Sequence, residues 1–190
     1  MRERRTMIHA NFGAVLDSCV LANHAVCDLF LRLAETPKLY VPYWNEEILK
    51  EVKNTHNKFK WPSHLSDSWQ KAVREHFPES LVTGHERFMD IVKNDPKDRH
   101  VVAAACQSHS EVIVTFNLKH FPKDILAPHG VRAEHPSEFL INLYNIDGGI
   151  FVTKLVGIAE NREIPVSKVL DTLSKHVPDF TEFISESAGL

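Results

Sequence analysis

Asn94-Asp95-Pro96-Lys97-Asp98-Arg99-His100-Val101-Val102-Ala103-Ala104-Ala105, with Val112-Ile113-Val114-Thr115-Phe116-Asn117 close behind it, is the stretch whose reading decides the fold. An acidic loop opens an Ala-rich apolar helix. A short β-branched strand follows and ends at Thr115 and Asn117. Pro96 suits a first helical turn or the residues just before one. That places Asp98 at a helix N-terminus, where the macrodipole favours negative charge. Val101 to Ala105 leaves no polar face, so the helix is expected to be buried. Val112 to Val114 is a continuous apolar run, the pattern of a central strand covered on both faces. Helix and strand together form the αβ half of a parallel-sheet unit. Ligands of such sheets sit at the carboxyl ends of the strands, so Asn117 and any acids brought to that edge are the first candidates for chemistry.

Working outward, Ala14-Val15-Leu16 reads as the first central strand, with Asp17 at its carboxyl end. Apolar residues from Val20 to Leu33 keep helical spacing, and Pro37 ends that helix. Asp17 or Ser18 can cap it, which is the plain alternative to a catalytic Asp17. Leu39-Tyr40-Val41 reads as a second strand closed by Pro42. A helix over 44–54 carries Glu47 and Glu51 on one face, and like charges at that spacing are mildly destabilising. Either the face is solvated, with Lys50 and Lys53 nearby, or Glu51 reaches the carboxyl edge of the sheet. The segment 53–61 interleaves Lys53, His56, Lys58 and Lys60 with Phe59 and Trp61. It suits a single-stranded nucleic acid, or it is a surface loop whose aromatics dock on the core. Further helices are expected over 65–76 and 86–92, with a strand or turn at 81–84. Phe121 is expected to anchor the loop after Asn117. Val131 to Ala133 reads as an edge strand and Ser137 as a cap. The remainder, 139–190, is helical in pattern and is broken at Gly148-Gly149, Ile164-Pro165 and Val177-Pro178.

Composition bounds the rest. With 190 residues, 43% hydrophobic and 25% charged, the chain has the make-up of an ordinary globular protein, one domain with an appendage. A net charge of -3 gives no overall attraction to nucleic acid, so a polyanion needs a local basic patch or metal ions. Cys19, Cys27 and Cys106 show no metal-like spacing and read as reduced thiols of a cytoplasmic protein. No apolar run approaches the ~20 residues that span a bilayer, so no membrane association is expected. No signal core follows the basic residues 1–5, and 1–10 read as a loose, polar lead-in.

Each αβ unit thus brings one acidic or amide side chain to a common edge: Asp17, Glu51, Asp98 and Asn117. Converging carboxylates need a counter-charge, and hard divalent ions such as Mg²⁺ or Mn²⁺ supply it through oxygen ligands. Such a site suits phosphodiester hydrolysis. The pattern resembles the PIN domain, the nuclease fold of VapBC-type toxin–antitoxin pairs. Val15-Leu16-Asp17-Ser18-Cys19-Val20-Leu21 is similar to its opening strand and first acid. Asn45-Glu46-Glu47-Ile48-Leu49-Lys50-Glu51-Val52 is similar to its second-acid helix. Asp95 to Ala105 with Val114-Thr115-Phe116-Asn117-Leu118-Lys119-His120-Phe121-Pro122 is similar to its third acid, Ala-rich helix and closing loop.

The resemblance implies an α/β, three-layer PIN-like fold with a central parallel sheet of four or five strands flanked by helices. A C-terminal helical extension, 136–190, is expected to pack on that domain, 1–135, or on a dimer mate, and lies outside the resemblance. The resemblance implies a metal-dependent endoribonuclease, the toxin of a type II pair, with an RNA substrate, an antitoxin partner and a homodimer. Asp17, Glu51, Asp98 and Asn117 would hold Mg²⁺ or Mn²⁺, and Thr115 would orient a ligand or support Asn117. Asp95 and Asp124 are spare acids, and His100 and His120 are candidate proton carriers. Two positions depart from the family pattern: Asn117 stands where many members have Asp, and Ser18-Cys19 replaces the commoner Thr-Asn. A PIN-like RNA- or protein-binding module with weak or no nuclease activity is the alternative. A flap-type DNA nuclease is the third reading, for which the chain is short.

Overall fold

A computed structural model describes residues 12–190. The expected lead-in, 1–10, lies outside the described residues. Strands β1 (Gly13–Leu16), β2 (Val41–Tyr43), β3 (Val112–Val114) and β4 (Arg132–Glu134) form one parallel sheet in the order β2-β1-β3-β4. Between β1 and β2 lie α1 (Ser18–Leu21) and α2 (His24–Ala34). Between β2 and β3 lie α3 (Glu46–Lys58), α4 (Ser63–His76) and α5 (Arg99–Ser108). A short α6 (Lys123–Leu126) precedes β4, and α7 (Pro136–Ile146), α8 (Gly148–Asn161), α9 (Val166–Leu173) and α10 (Pro178–Ala188) complete the chain. The α/β fold with a parallel sheet between helices is the one expected, with four strands.

The two central strands are apolar because both faces are covered. Ala14, Val15, Leu16, Ile113 and Val114 have no exposed surface, nor have Val101 to Ala105 of α5. From β1 the chain crosses to one side, to β2, while β3 and β4 lie on the other. The strand order therefore reverses between β1 and β3, and their carboxyl ends flank the crevice where ligands of such sheets bind. Asp17 follows β1 and Thr115 follows β3.

Several boundaries differ from expectation for local reasons. The second strand lies two residues later than expected, and Pro42 pairs with Ala14 inside it instead of closing it. An edge strand tolerates proline because one side of its backbone needs no partner. The helix expected to run unbroken from Val20 to Leu33 is two helices, because the Asn23 side chain accepts from Val26 N–H and starts α2 afresh. At α7 the cap is His135, whose Nδ1 accepts from Ser137 N–H, and not Ser137. The helix expected over 86–92 is a single tight turn, His85–Phe88. Leu81 makes only an isolated parallel bridge to Trp44.

Two aromatic clusters hold the layers together. Phe139 of α7 stacks on Phe30 of α2 at 5.7 Å between ring centroids and meets Tyr40 edge-on at 5.2 Å. Trp61 covers His24 at 3.9 Å and His56 at 4.4 Å, so this aromatic of the basic segment docks on the core. Phe59 does not dock and is 76% exposed. His56 is buried, its Nδ1 is 2.9 Å from Ser66 Oγ, and among the described residues its Nε2 has no partner. Burial lowers the His56 pKa, and the neighbouring His24 lowers it further.

Phe139→Ala is expected to cost about 3–5 kcal/mol, the range for deleting a fully buried aromatic, measured by urea denaturation. Because the folded pKa of His56 lies below its unfolded value, the stability it contributes is complete above the ordinary histidine range. It is lost as pH falls through the lowered folded value. Denaturation midpoints are therefore expected to fall between about pH 7.5 and pH 5, and to fall less in His56→Gln.

Candidate functional site

Asp17 occupies the N-cap position of α1, yet its side chain makes no capping bond; its backbone carbonyl receives Val20 and Leu21 N–H instead. The carboxylate is thus left for other partners although it is only 4% exposed. Thr115 Oγ1 donates to Asp17 Oδ2 at 2.6 Å, the Cys19 thiol donates to the same oxygen at 3.1 Å, and Ser18 Oγ donates to Oδ1 at 3.2 Å. A buried carboxylate is tolerable only when its oxygens are hydrogen-bonded, and three donors from the ends of β1 and β3 do this. The Asp17 backbone N–H also donates to Val114 O at 3.0 Å, so main chain and side chain lock the same two strand ends.

Thr115 serves both directions. Its Oγ1 donates to Asp17 and accepts from Asn117 N–H at 3.0 Å. Cys19 accepts from Phe116 N–H at 3.4 Å. Burial, and then the Asp17 charge, push the Cys19 pKa up to about 12. The thiol stays protonated and is a donor.

Glu51 reaches the edge from α3 and stands 3.5 Å from His100 Nε2 of α5. One turn earlier Glu47 stands 3.4 Å from His85 Nε2. Each of the two like charges on that helix face has an imidazole opposite it. Burial opposes the Glu51 charge, but the nearby His100 and Ser18 side chains outweigh it and hold the pKa low. His100 moves up, because Glu51, Glu47 and Asp17 outweigh its burial. Asp98 caps α5 through its backbone carbonyl alone, and its Oδ2 is 3.0 Å from His120 Nδ1. Its pKa is raised, first by burial and then by the charges of Asp17, Asp95 and Glu51, against the opposing His120.

Asp98 therefore lies within the fields of both Asp17 and Glu51. Asn117 joins through its backbone bond to Thr115 and lines the same cleft as Ser18 and Cys19. Among the described residues, no group of three or more His, Cys, Asp or Glu side chains is gathered closely enough to hold a metal ion as it stands. Asp95 is engaged by Lys97 N–H at 3.0 Å, and Asp124 lies in the first turn of α6. Asn45, to which sequence reasoning gave no separate role, ties two acid-bearing helices together. Its Oδ1 caps α3 by accepting from Ile48 N–H at 2.9 Å, and its Nδ2 donates to His100 O at 3.0 Å. An Asn just before an apolar-periodic helix is the available signal for the cap; its second bond has none.

No protein-family model and no solved structure matches the chain. A curated relative does: "Putative ribonuclease VapC50" of Mycobacterium tuberculosis, 36% identical over 127 residues, a match spanning 63% of this chain and 74% of the relative. With the acids at the carboxyl ends of a parallel sheet and this degree of identity, the chain belongs to the VapC-like PIN-domain family.

Proposed function

We propose that this chain is a metal-dependent endoribonuclease of the VapC type, acting in the cytoplasm as the toxin of a toxin–antitoxin pair. The observation that carries the proposal is the acid edge itself: a buried Asp17 fixed by Thr115 at 2.6 Å, with Asp98 within its field and that of Glu51. The donor set fits Mg²⁺ or Mn²⁺. Three carboxylates and the Asn117 amide offer the hard oxygens those ions take, and the charges of Asp17, Asp95 and Glu51 add to burial in raising the Asp98 pKa. Asp17, Glu51, Asp98 and Asn117 would hold the ion.

A bound divalent ion supplies a water acidic enough to attack at neutral pH and positive charge for the phosphoryl oxygens. The chain does the rest. Thr115, Ser18 and Cys19 hold the Asp17 carboxylate in one orientation, which is what a preorganised site requires. His100 orients Glu51 from behind. His120 is half-exposed with its Nδ1 turned to Asp98, which leaves its Nε2 to hold the proton that the leaving ribose oxygen takes up. In the hydrolysis a water oxygen bonds to phosphorus while the bond from phosphorus to one ribose oxygen breaks. An antitoxin polypeptide and a second copy of the chain are the partners this reading brings with it.

Cleavage of single-stranded and structured RNA is expected with Mg²⁺ or Mn²⁺ and not with EDTA. Asp17→Asn and Asp98→Asn are expected to lower the rate at least about 100-fold, the scale of removing one charged element of such a site. A folded protein that binds RNA without shortening it under any metal would instead support the binding-module reading. In EDTA, Asp98→Asn is expected to raise the urea midpoint, because it removes one of the mutually repelling charges. Saturating Mn²⁺ is expected to stabilise the unaltered chain more than this variant.

A further inference from the structure

A cleft of about 870 Å³ opens beside the acid edge. Its inner end is Ser18, which donates to Asp17, and Asn117, which is bonded to Thr115. One wall includes Phe59, at the C-terminus of α3. The C-terminal helices line it as well, through Arg162 just after α8, Thr172 in α9 and His176 just beyond it. Although the whole chain carries a net charge of -3, no carboxylate is among the described residues lining this cleft. Arg162 is fixed there by Asp28 of α2, with Nη2 2.6 Å from Oδ2. A guanidinium has five N–H donors in a planar fork, so one carboxylate contact leaves others for a phosphate. Phe59, flanked by exposed Lys58 and Lys60, presents a bare ring at the rim.

We infer that the C-terminal helices form the second wall of the substrate cleft, and that single-stranded RNA lies between Phe59 and the Arg162–His176 wall as it approaches the acids. This rests on the ribonuclease reading above. Three observations favour an RNA strand as the occupant. The cleft is continuous with the acid edge. Its lining carries hydrogen-bond donors and a cation but no anion, which complements a polyanion. An exposed aromatic stands where a base can stack, an interaction that tolerates any sequence. A duplex would present its phosphates without an unstacked base for Phe59, so single-stranded RNA is preferred.

The test is binding of a fluorescent single-stranded oligoribonucleotide, read by anisotropy in EDTA, where metal-dependent cutting does not run, with cleavage of the same RNA in Mn²⁺ measured alongside. Phe59→Ala is expected to weaken binding about tenfold, as loss of one stacked base does. Arg162→Gln and His176→Ala are expected to weaken it and, for Arg162, to flatten its salt dependence. These surface variants should keep the fold, which urea denaturation checks. Cross-links from a 4-thiouridine probe are expected in the peptides holding Phe59 and residues 162–176. If the variants cut and bind RNA like the unaltered chain, and cross-links map elsewhere, the inference fails while the ribonuclease reading stands. That result would leave the cleft to a polypeptide. If the unaltered chain neither cuts nor binds RNA, both fail.

Discussion

The hydrogen bond from Thr115 Oγ1 to Asp17 Oδ2 is the constraint on which the site depends. It joins the carboxyl ends of the two central strands, where the strand order reverses and the sheet opens a crevice. A carboxylate buried to this degree would be costly if its oxygens lacked partners. Thr115, Ser18 and Cys19 supply them. The arrangement needs both strands in register, so the side-chain network and the β1–β3 ladder support each other. The other acids are held more loosely, each by an imidazole: Glu51 by His100 and Asp98 by His120. One acid is held by three side-chain donors, and the other two each face an imidazole.

Placement of the acids follows from helix and strand ends more than from the acids themselves. Asp17 and Asp98 both stand at N-cap positions, yet in both the backbone carbonyl does the capping and the carboxylate is left for other partners. Glu51 sits on α3, and Asn45 sets the position of that helix against α5 through one cap bond and one bond to His100 O. The aromatic cluster of Phe30, Tyr40 and Phe139 does the equivalent on the other side of the sheet, docking α7 on α2.

Much of this was legible in the sequence because strong local patterns carried it. Val112–Val114 was readable to the residue, since a β-branched run between Ser110 and Thr115 has one good assignment. Asp17 and Asp98 stood out because one follows a strand and the other opens a helix. Pro42 misled because it reads as a stop, whereas an edge strand accepts it. Asn23 was hidden inside a helical periodicity that continues across it. Trp61 and Phe59 lie two apart and share a composition, yet one docks and the other does not, because docking depends on His24 and His56 from elsewhere in the chain. The relation of residues 162–176 to the cleft was invisible for the same reason: periodicity shows which face a helix buries but not what it faces.

We propose that Asp17, Glu51, Asp98 and Asn117 form a divalent-cation site on a fixed Asp17. Titration with Mn²⁺ followed by electron paramagnetic resonance tests it without reference to any substrate. Saturable binding by the unaltered chain, weakened strongly in Thr115→Val and lost in Asp17→Asn, is the predicted result. Equal Mn²⁺ binding by all three proteins, or none by the unaltered chain, would contradict it.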